Sequence, residues 1–284
     1  MDVTTFTSQR RRIATAAGEV AYTEFGAGPA AVFVHGLGTN GLLWRHVIDR
    51  LRDTSRCIAV DLPLHGGTPA REDPSVTAMS EVLTELCAGL GLDQIDLVGN
   101  DTGGAVTQVF AARHPERLRT LTLTNCDTED NFPPPGFLPV IEMAARGELA
   151  PMLARLARDP AAARASAFSA GFEHPDRITD EEFRDYLTPI VGTMDNARHF
   201  ERMLAALGSA DDLKQVAEQL RGLEVPTLLV WGTGDEAFGV EWAYRLRDTI
   251  PGARDVVEVD GAKLFFPAER PDDLVVALRE HWQR

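Results

Sequence analysis

The sequence predicts an α/β protein built on a mostly parallel eight-stranded sheet, with helices on both faces and one long helical insertion. Three observations carry that prediction. Short apolar runs of strand length alternate with helical patterns. The first two strand-like stretches mix polar and apolar residues and meet at Gly18, as an antiparallel pair does. From about Asp127 to Leu223 no strand pattern occurs.

The elements follow in order. "RRIATAAG" and "EVAYTEFG" form the opening pair. "AAVFVH", "RCIAVDL", "IDLVGN", "LRTLTLTN", "TLLVWG" and "RDVVEVDG" read as parallel strands, which are buried on both faces and need no polar alternation. Helices are expected over residues 42–53, 75–91, 103–115, 238–250 and 271–283. The insertion opens with "NFPPPGF", whose proline run ends regular structure, and continues in Ala-, Leu- and Arg-rich helical segments. Ligands of open α/β sheets bind beyond the carboxyl ends of the strands, so helices inserted after the sixth strand are placed to roof a pocket. The chain divides into a core, 1–127 and 224–284, and a helical cap, 128–223.

Composition narrows the functions. A chain of 284 residues can bury a large core. Its net charge of −15 is spread along the chain and repels phosphate backbones and anionic membranes. A small-molecule substrate is therefore expected, with neither a nucleic-acid nor a membrane partner. The basic run Gln9-Arg10-Arg11-Arg12 opens a strand and reads as an exposed edge. Cys57, Cys87 and Cys126 are far apart in apolar segments, as reduced core thiols are, and without metal-ligand spacing. No metal or cofactor is expected. "MDVTTFTSQRRR" lacks the apolar region of a secretory leader, so a cytoplasmic location is expected.

The chemistry gathers at "LVGNDTGGA", residues 97–105: a strand end, a sharp turn on Gly99, Gly103 and Gly104, and a helix start. Many hydrolases mount a nucleophilic serine in such a G-x-S-x-G turn; here the tip is Asp101. The dipole of the following helix favours an anion there by about 0.3–2 kcal/mol, and an ordinary aspartate titrates near pH ~4. Asp101 is thus expected to be ionised at neutral pH, ready to attack without a base. Its plain alternative is a helix N-cap. A second glycine turn, Gly36-Leu37-Gly38-Thr39-Asn40-Gly41, matches the dinucleotide-binding pattern literally, with Asp61 about twenty residues on. Two strands precede it, however, and His35 stands directly before it. An NAD(P)-binding oxidoreductase is accordingly a minor alternative.

With His35-Gly36-Leu37-Gly38, then "DLPLHGGT" at 61–68, then the elbow, the sequence resembles the α/β-hydrolase fold over almost its full length. Aspartate at the elbow resembles the haloalkane dehalogenases and the epoxide hydrolases of that fold, as does Trp44-Arg45 after the His-Gly turn. The resemblance implies attack by Asp101 on an sp³ carbon, an ester, and hydrolysis of that ester by histidine-activated water. It implies Asp235, in "WGTGDEAF", as the supporting acid, and the N–H groups of Leu37 and Thr102 as oxyanion donors. Asn125, Cys126 and Asp127 end the sixth strand, where some dehalogenases take their acid instead. Pocket positions are expected at His35, Trp44, Asn100, Asn125, Tyr186 and His199.

The pattern fails at the histidine. Where the family reads G-x-G-H-F, this chain reads Gly261-Ala262-Lys263-Leu264-Phe265, and leucine cannot accept a proton. The halide-binding tryptophan after the nucleophile is Thr102, and of the two ring-protonating cap tyrosines the insertion offers only Tyr186. Hydrolysis of a halide or epoxide with a non-standard site is the first expectation. Acid–base chemistry at Asp101, as in a lyase, cyclase or isomerase, is the second. A non-catalytic ligand binder is the third.

Overall fold

The computed structural model describes residues 1–283, with only the backbone for Ala167. Eight strands are β1 (Arg10–Thr15), β2 (Gly18–Phe25), β3 (Ala30–Val34), β4 (Arg56–Val60), β5 (Ile95–Asp101), β6 (Leu118–Cys126), β7 (Thr227–Gly232) and β8 (Ala253–Val259). They form one sheet in the order β1-β2-β4-β3-β5-β6-β7-β8. β2 pairs antiparallel with β1 and with β4; every later pairing is parallel.

The apolar runs behave as their composition demands. β3 and β7 are buried throughout, and β5 is buried up to Asp101, its last residue. Only Arg119 is less than fully buried in β6. β8 departs from the expectation of a strand buried on both faces. It is the edge strand, and Arg254, Asp255 and Glu258 are exposed there because no further strand covers them.

Helices flank the sheet close to the expected ranges: Val76–Gly89, Thr102–Arg113, Val240–Thr249 and Pro271–Trp282. The first expected helix begins as a 3₁₀ turn, Gly41–Trp44, before Arg45–Leu51. Periodicity gives no sign of the helix Val3–Thr7, which is too short to show one; Asp2 caps it and Val3 and Phe6 are buried. The basic run is also more than an exposed edge. Arg11 and Arg12 are exposed, but Arg10 leans inward to an ion pair with the buried Asp61 at 2.9 Å.

The inserted helical region lies between β6 and β7. Its longest members are Asp180–Val191, opened by a Thr179–Glu182 capping box, and Met194–Leu207. One side of each is buried, and a cap ring, Phe168, reaches down to the His-Gly turn: a side chain added at Gly38 would meet it. No helix among the described residues is long and apolar enough to cross a membrane.

Candidate active site

β5 ends and the helix Thr102–Arg113 begins at the same residue, Asp101, which adopts φ 57° and ψ −136°. A non-glycine residue in that region stores about 1–3 kcal/mol of strain. Four glycines make the turn possible by absent side chains. A Cβ at Gly99 would collide with the start of the helix, one at Gly103 with the His35 carbonyl, and one at Gly104 with Cys126. A Cβ at Gly36 would collide with the Asp101 carboxyl itself. The His-Gly turn therefore holds a carboxylate where a dinucleotide would need room. Asp61 is equally unavailable to a ribose. It is fully buried, accepting from Gly41 N–H at 3.0 Å and Gly67 N–H at 2.8 Å besides pairing with Arg10.

The Asp101 side chain makes no capping hydrogen bond, so the N-cap alternative does not describe it. Its carboxyl faces the backbone N–H groups of Thr102 and Leu37, which favour the anion. Burial opposes them and wins. With the nearby Asp235 adding repulsion, it pushes the Asp101 pKa up to about 7. The expectation of an ordinary, fully ionised aspartate is corrected: the dense protein around the elbow outweighs two N–H dipoles. Asp101 nonetheless keeps partial exposure, whereas its neighbours Asn100 and Thr102 are buried.

Asp235 lies past β7, where its Oδ1 accepts from Ala237 N–H at 2.9 Å and Phe238 N–H at 3.2 Å. Asn125 Nδ2 donates to its Oδ2 at 3.1 Å. Burial still raises its pKa, and the Lys263 ammonium pulls the other way. Asp235 thus has a full set of donors without a histidine.

Leu264, at the place where the resemblance leads one to expect a histidine, packs against the core, and its carbonyl accepts from Asn100 Nδ2 at 2.9 Å. Phe265 N–H donates to the cap at Gly171 O, 2.9 Å away, and Lys263 Nζ reaches Ala170 O at 3.4 Å. Neither imidazole at the glycine turn is free to substitute. His35 is fully buried, with Nδ1 bonded to Gly36 O at 2.7 Å and Nε2 accepting from Leu62 N–H at 2.9 Å. Burial drives its pKa down to about 4. His65 is committed in the same way, to Pro63 O and Gly38 N–H, with its pKa down to about 3.

The other expected pocket residues disperse. Trp44 is wholly buried beside Phe33, their rings 5.4 Å apart, and is core. Asn125 bonds both main-chain groups of Gly232 and so staples β6 to β7 as well as holding Asp235. His199 is half-buried on its helix, with Nδ1 2.8 Å from Arg202. Tyr186 lines a cavity of about 280 Å³ between cap and core together with Arg45, His46, Glu182 and Arg270; Asp101 is not among its walls. Two contributors escape the sequence reading. Phe168 needs the tertiary fold to be found. Gln108 had a signal, a lone amide in the apolar run "AVTQVFAA", and it bonds Gly104 O and Asp127 O.

A strained strand-turn-helix elbow, at the carboxyl ends of a mostly parallel sheet and beneath inserted helices, defines a hydrolase-type α/β protein. The chain belongs to the α/β-hydrolase fold family, whose model matches residues 29–268. It is homologous to the haloalkane dehalogenase and epoxide hydrolase group at moderate identity. Haloalkane dehalogenase 2 of Mycobacterium tuberculosis is 28% identical over 281 residues, spanning 93% of this chain and 92% of that protein. A thermophilic esterase from Thermogutta terrifontis superposes with a TM-score of 0.75 at 25% identity, covering 97% of this chain and 98% of that one. The epoxide hydrolase CorEH shares the fold, with a TM-score of 0.77 at 19% identity over 96% of this chain and 98% of its own.

Proposed function

We propose that this chain is an enzyme acting on a small, largely apolar organic substrate through the Asp101 carboxyl, and that Asp101 works as a general acid–base in a lyase-, isomerase- or cyclase-type reaction. One observation carries this reading: Leu264 stands in the place of the imidazole, and the two imidazoles at the glycine turn are locked in backbone hydrogen bonds. An ester on Asp101 would lack the base that releases it, at a cost of about 10²–10⁴ in rate. A carboxyl poised near neutrality suits proton transfer, which needs both of its states. In such a step Asp101 takes a proton from substrate carbon and returns it to a neighbouring atom, with no bond to Asp101 carbon or oxygen left behind.

The similarity to a haloalkane dehalogenase over 93% of the chain favours a second reading, hydrolysis through an Asp101 ester with a base from elsewhere. Residues 128–223 serve either reading as the cap over the site.

A single-turnover experiment in ¹⁸O water and in D₂O separates the two. The probes are alkyl bromides, styrene oxide and small cyclic ketones. Acid–base work converts substrate with no ¹⁸O in Asp101 and no adduct by mass spectrometry, and over repeated turnovers leaves carbon-bound deuterium wherever the Asp101 proton exchanges with solvent before its return; label or an adduct on Asp101 overturns it in favour of the ester. Asp101→Asn loses turnover in either case, and retained turnover defeats both.

A further inference from the structure

Behind Asp101 lies a second carboxyl that the acid–base reading does not use. Asp127 follows Cys126, the ladder partner of Asp101 between β5 and β6. The end of β6 therefore delivers Asp127 to the level of the elbow. Gln108 fixes its main chain, donating to Asp127 O at 2.8 Å and to Gly104 O at 3.1 Å, so the loop and the elbow helix are tied by one amide. The side chain is 2% exposed, and its Oδ2 is buried with no hydrogen-bond partner. The Thr102 hydroxyl faces the carboxyl.

The charged surroundings offer no relief. The titratable groups facing this pair are Asp235, which adds negative charge, and the buried Cys126 thiol. Lys263 faces Asp235, and the N–H groups of Leu37 and Thr102 face Asp101. Two neighbouring carboxyls in a dry site without a counter-cation do not both ionise. The two environments also differ in kind. Asp101 has two N–H dipoles and partial exposure; Asp127 has one hydroxyl and none.

We propose that Asp101 and Asp127 form a pair that never gives up its last proton at neutral pH, with Asp127 the buried positioning residue that keeps it and Asp101 the member that meets the substrate. The proposal rests on Asp101 being the working group. Asp127 then presents a neutral acid to Asp101 in place of a second anion, and Asp101 can cycle its own proton with the substrate. Burial and the Asp101 charge hold the Asp127 proton well above the usual carboxylate range, in the same sense as the geometry. Environments that push two carboxyls apart are how one site obtains an acid and a base, and the apparent titration steps belong to the pair.

The test is ¹³C NMR titration of the full chain labelled at aspartate carboxyls, without ligand. The two resonances are assigned by their loss in Asp101→Asn and Asp127→Asn. Asp127 is expected to remain protonated through pH ~7, and its midpoint to fall by about one unit or more in Asp101→Asn, where the neighbouring charge is gone. An Asp127 that titrates in the ordinary range near pH ~4 overturns the pair in the unmodified chain alone. So does a midpoint indifferent to Asp101→Asn. In turnover, ionisation of Asp127 at high pH is expected to set a second anion against Asp101 and give the profile an alkaline fall, which Asp127→Asn, permanently neutral, lacks and which a merely structural role would leave in place. If the pair titrates as stated while Asp101→Asn still turns over, the proposed function fails and the pair survives. If Asp101→Asn is inactive and Asp127 titrates normally, the reverse holds.

Discussion

The turn that carries Asp101 and the loop that carries Leu264 meet at the same end of the sheet, joined by the bond from Asn100 to Leu264 O. They are held in different ways. At the elbow, side chains and backbone interlock: Gly36, Gly103 and Gly104 each leave a space that another group fills. At residues 263–265 the ties are the Leu264 carbonyl to Asn100, the Phe265 N–H to Gly171 O and the Phe265 ring in the space Gly171 leaves, and none of them involves the side chain at 264. A place whose ties do not involve the side chain at 264 can hold leucine or histidine there and keep its shape. The elbow cannot lose a glycine so easily, which is why its geometry persists beside a loop that no longer supplies a base.

Substitutions on the two sides sharpen this contrast. Asp101→Asn is the largest expected change: turnover falls by about 10²–10⁴ while the protein stays folded. The same variant reports on stability. Because its folded pKa is raised, the native state of the parent binds a proton that the unfolded chain has released above pH ~4. The parent is therefore expected to lose stability as pH rises from about 4 to about 7, and the Asn variant to show a shallower slope, because the raised Asp127, Asp235 and Asp61 still contribute to it; urea midpoints across the range measure the difference. Gly103→Ala comes next, with a loss of about 3 kcal/mol in urea unfolding, since its methyl would strike the His35 carbonyl.

On the loop side the effects shrink. Leu264→His keeps the carbonyl bonded to Asn100 and is expected to cost about 1 kcal/mol of stability. If an Asp101 ester forms from an alkyl bromide, this variant should release it about a hundredfold faster, measured by the decay of the adduct in intact-mass spectra. Asn100→Ala removes the tie together with the bonds from the same amide to Thr124, for about 1–3 kcal/mol, partly offset because it also removes a buried amide oxygen that has no partner. Faster amide exchange over residues 261–266, with little change elsewhere, is the expected signature. A collapse of the whole fold in that variant would show that the loop is as interlocked as the elbow.

Most of the sheet was legible because buried parallel strands and flanking helices leave strong local signals. "AAVFVH", "IDLVGN" and "TLLVWG" need only their apolar content to be read, and the elbow needs only its glycines and Asp101. β8 reads with the central strands on its three valines, although Arg254, Asp255 and Glu258 already mark it as less apolar than they are, and the sheet order shows it to be an edge. The pocket was the least legible part. Trp44, Tyr186 and His199 are chemically plausible lining residues, but the side a helical residue presents depends on packing between segments distant in sequence. The ionisation of Asp101 failed for a related reason: the burial that raises it comes from several elements, and no local pattern counts them. Asp127 stood in view as the end of β6, and only its missing hydrogen-bond partner distinguishes it from an ordinary turn residue.

The bonds between residues 263–274 and the cap reach further than the site. Phe265 N–H holds Gly171 O, Glu269 accepts from the N–H groups of Glu173 and His174 at 2.7 Å each, and Arg270 clasps Glu173. The rings of Phe172 and Phe265 lie 4.7 Å apart at the same seam. Roof and floor are thereby joined at this seam, as they are again where Asn40 holds Asp185 and Arg45 pairs with Glu182, so a shift of the roof is passed directly to the segment that carries Leu264.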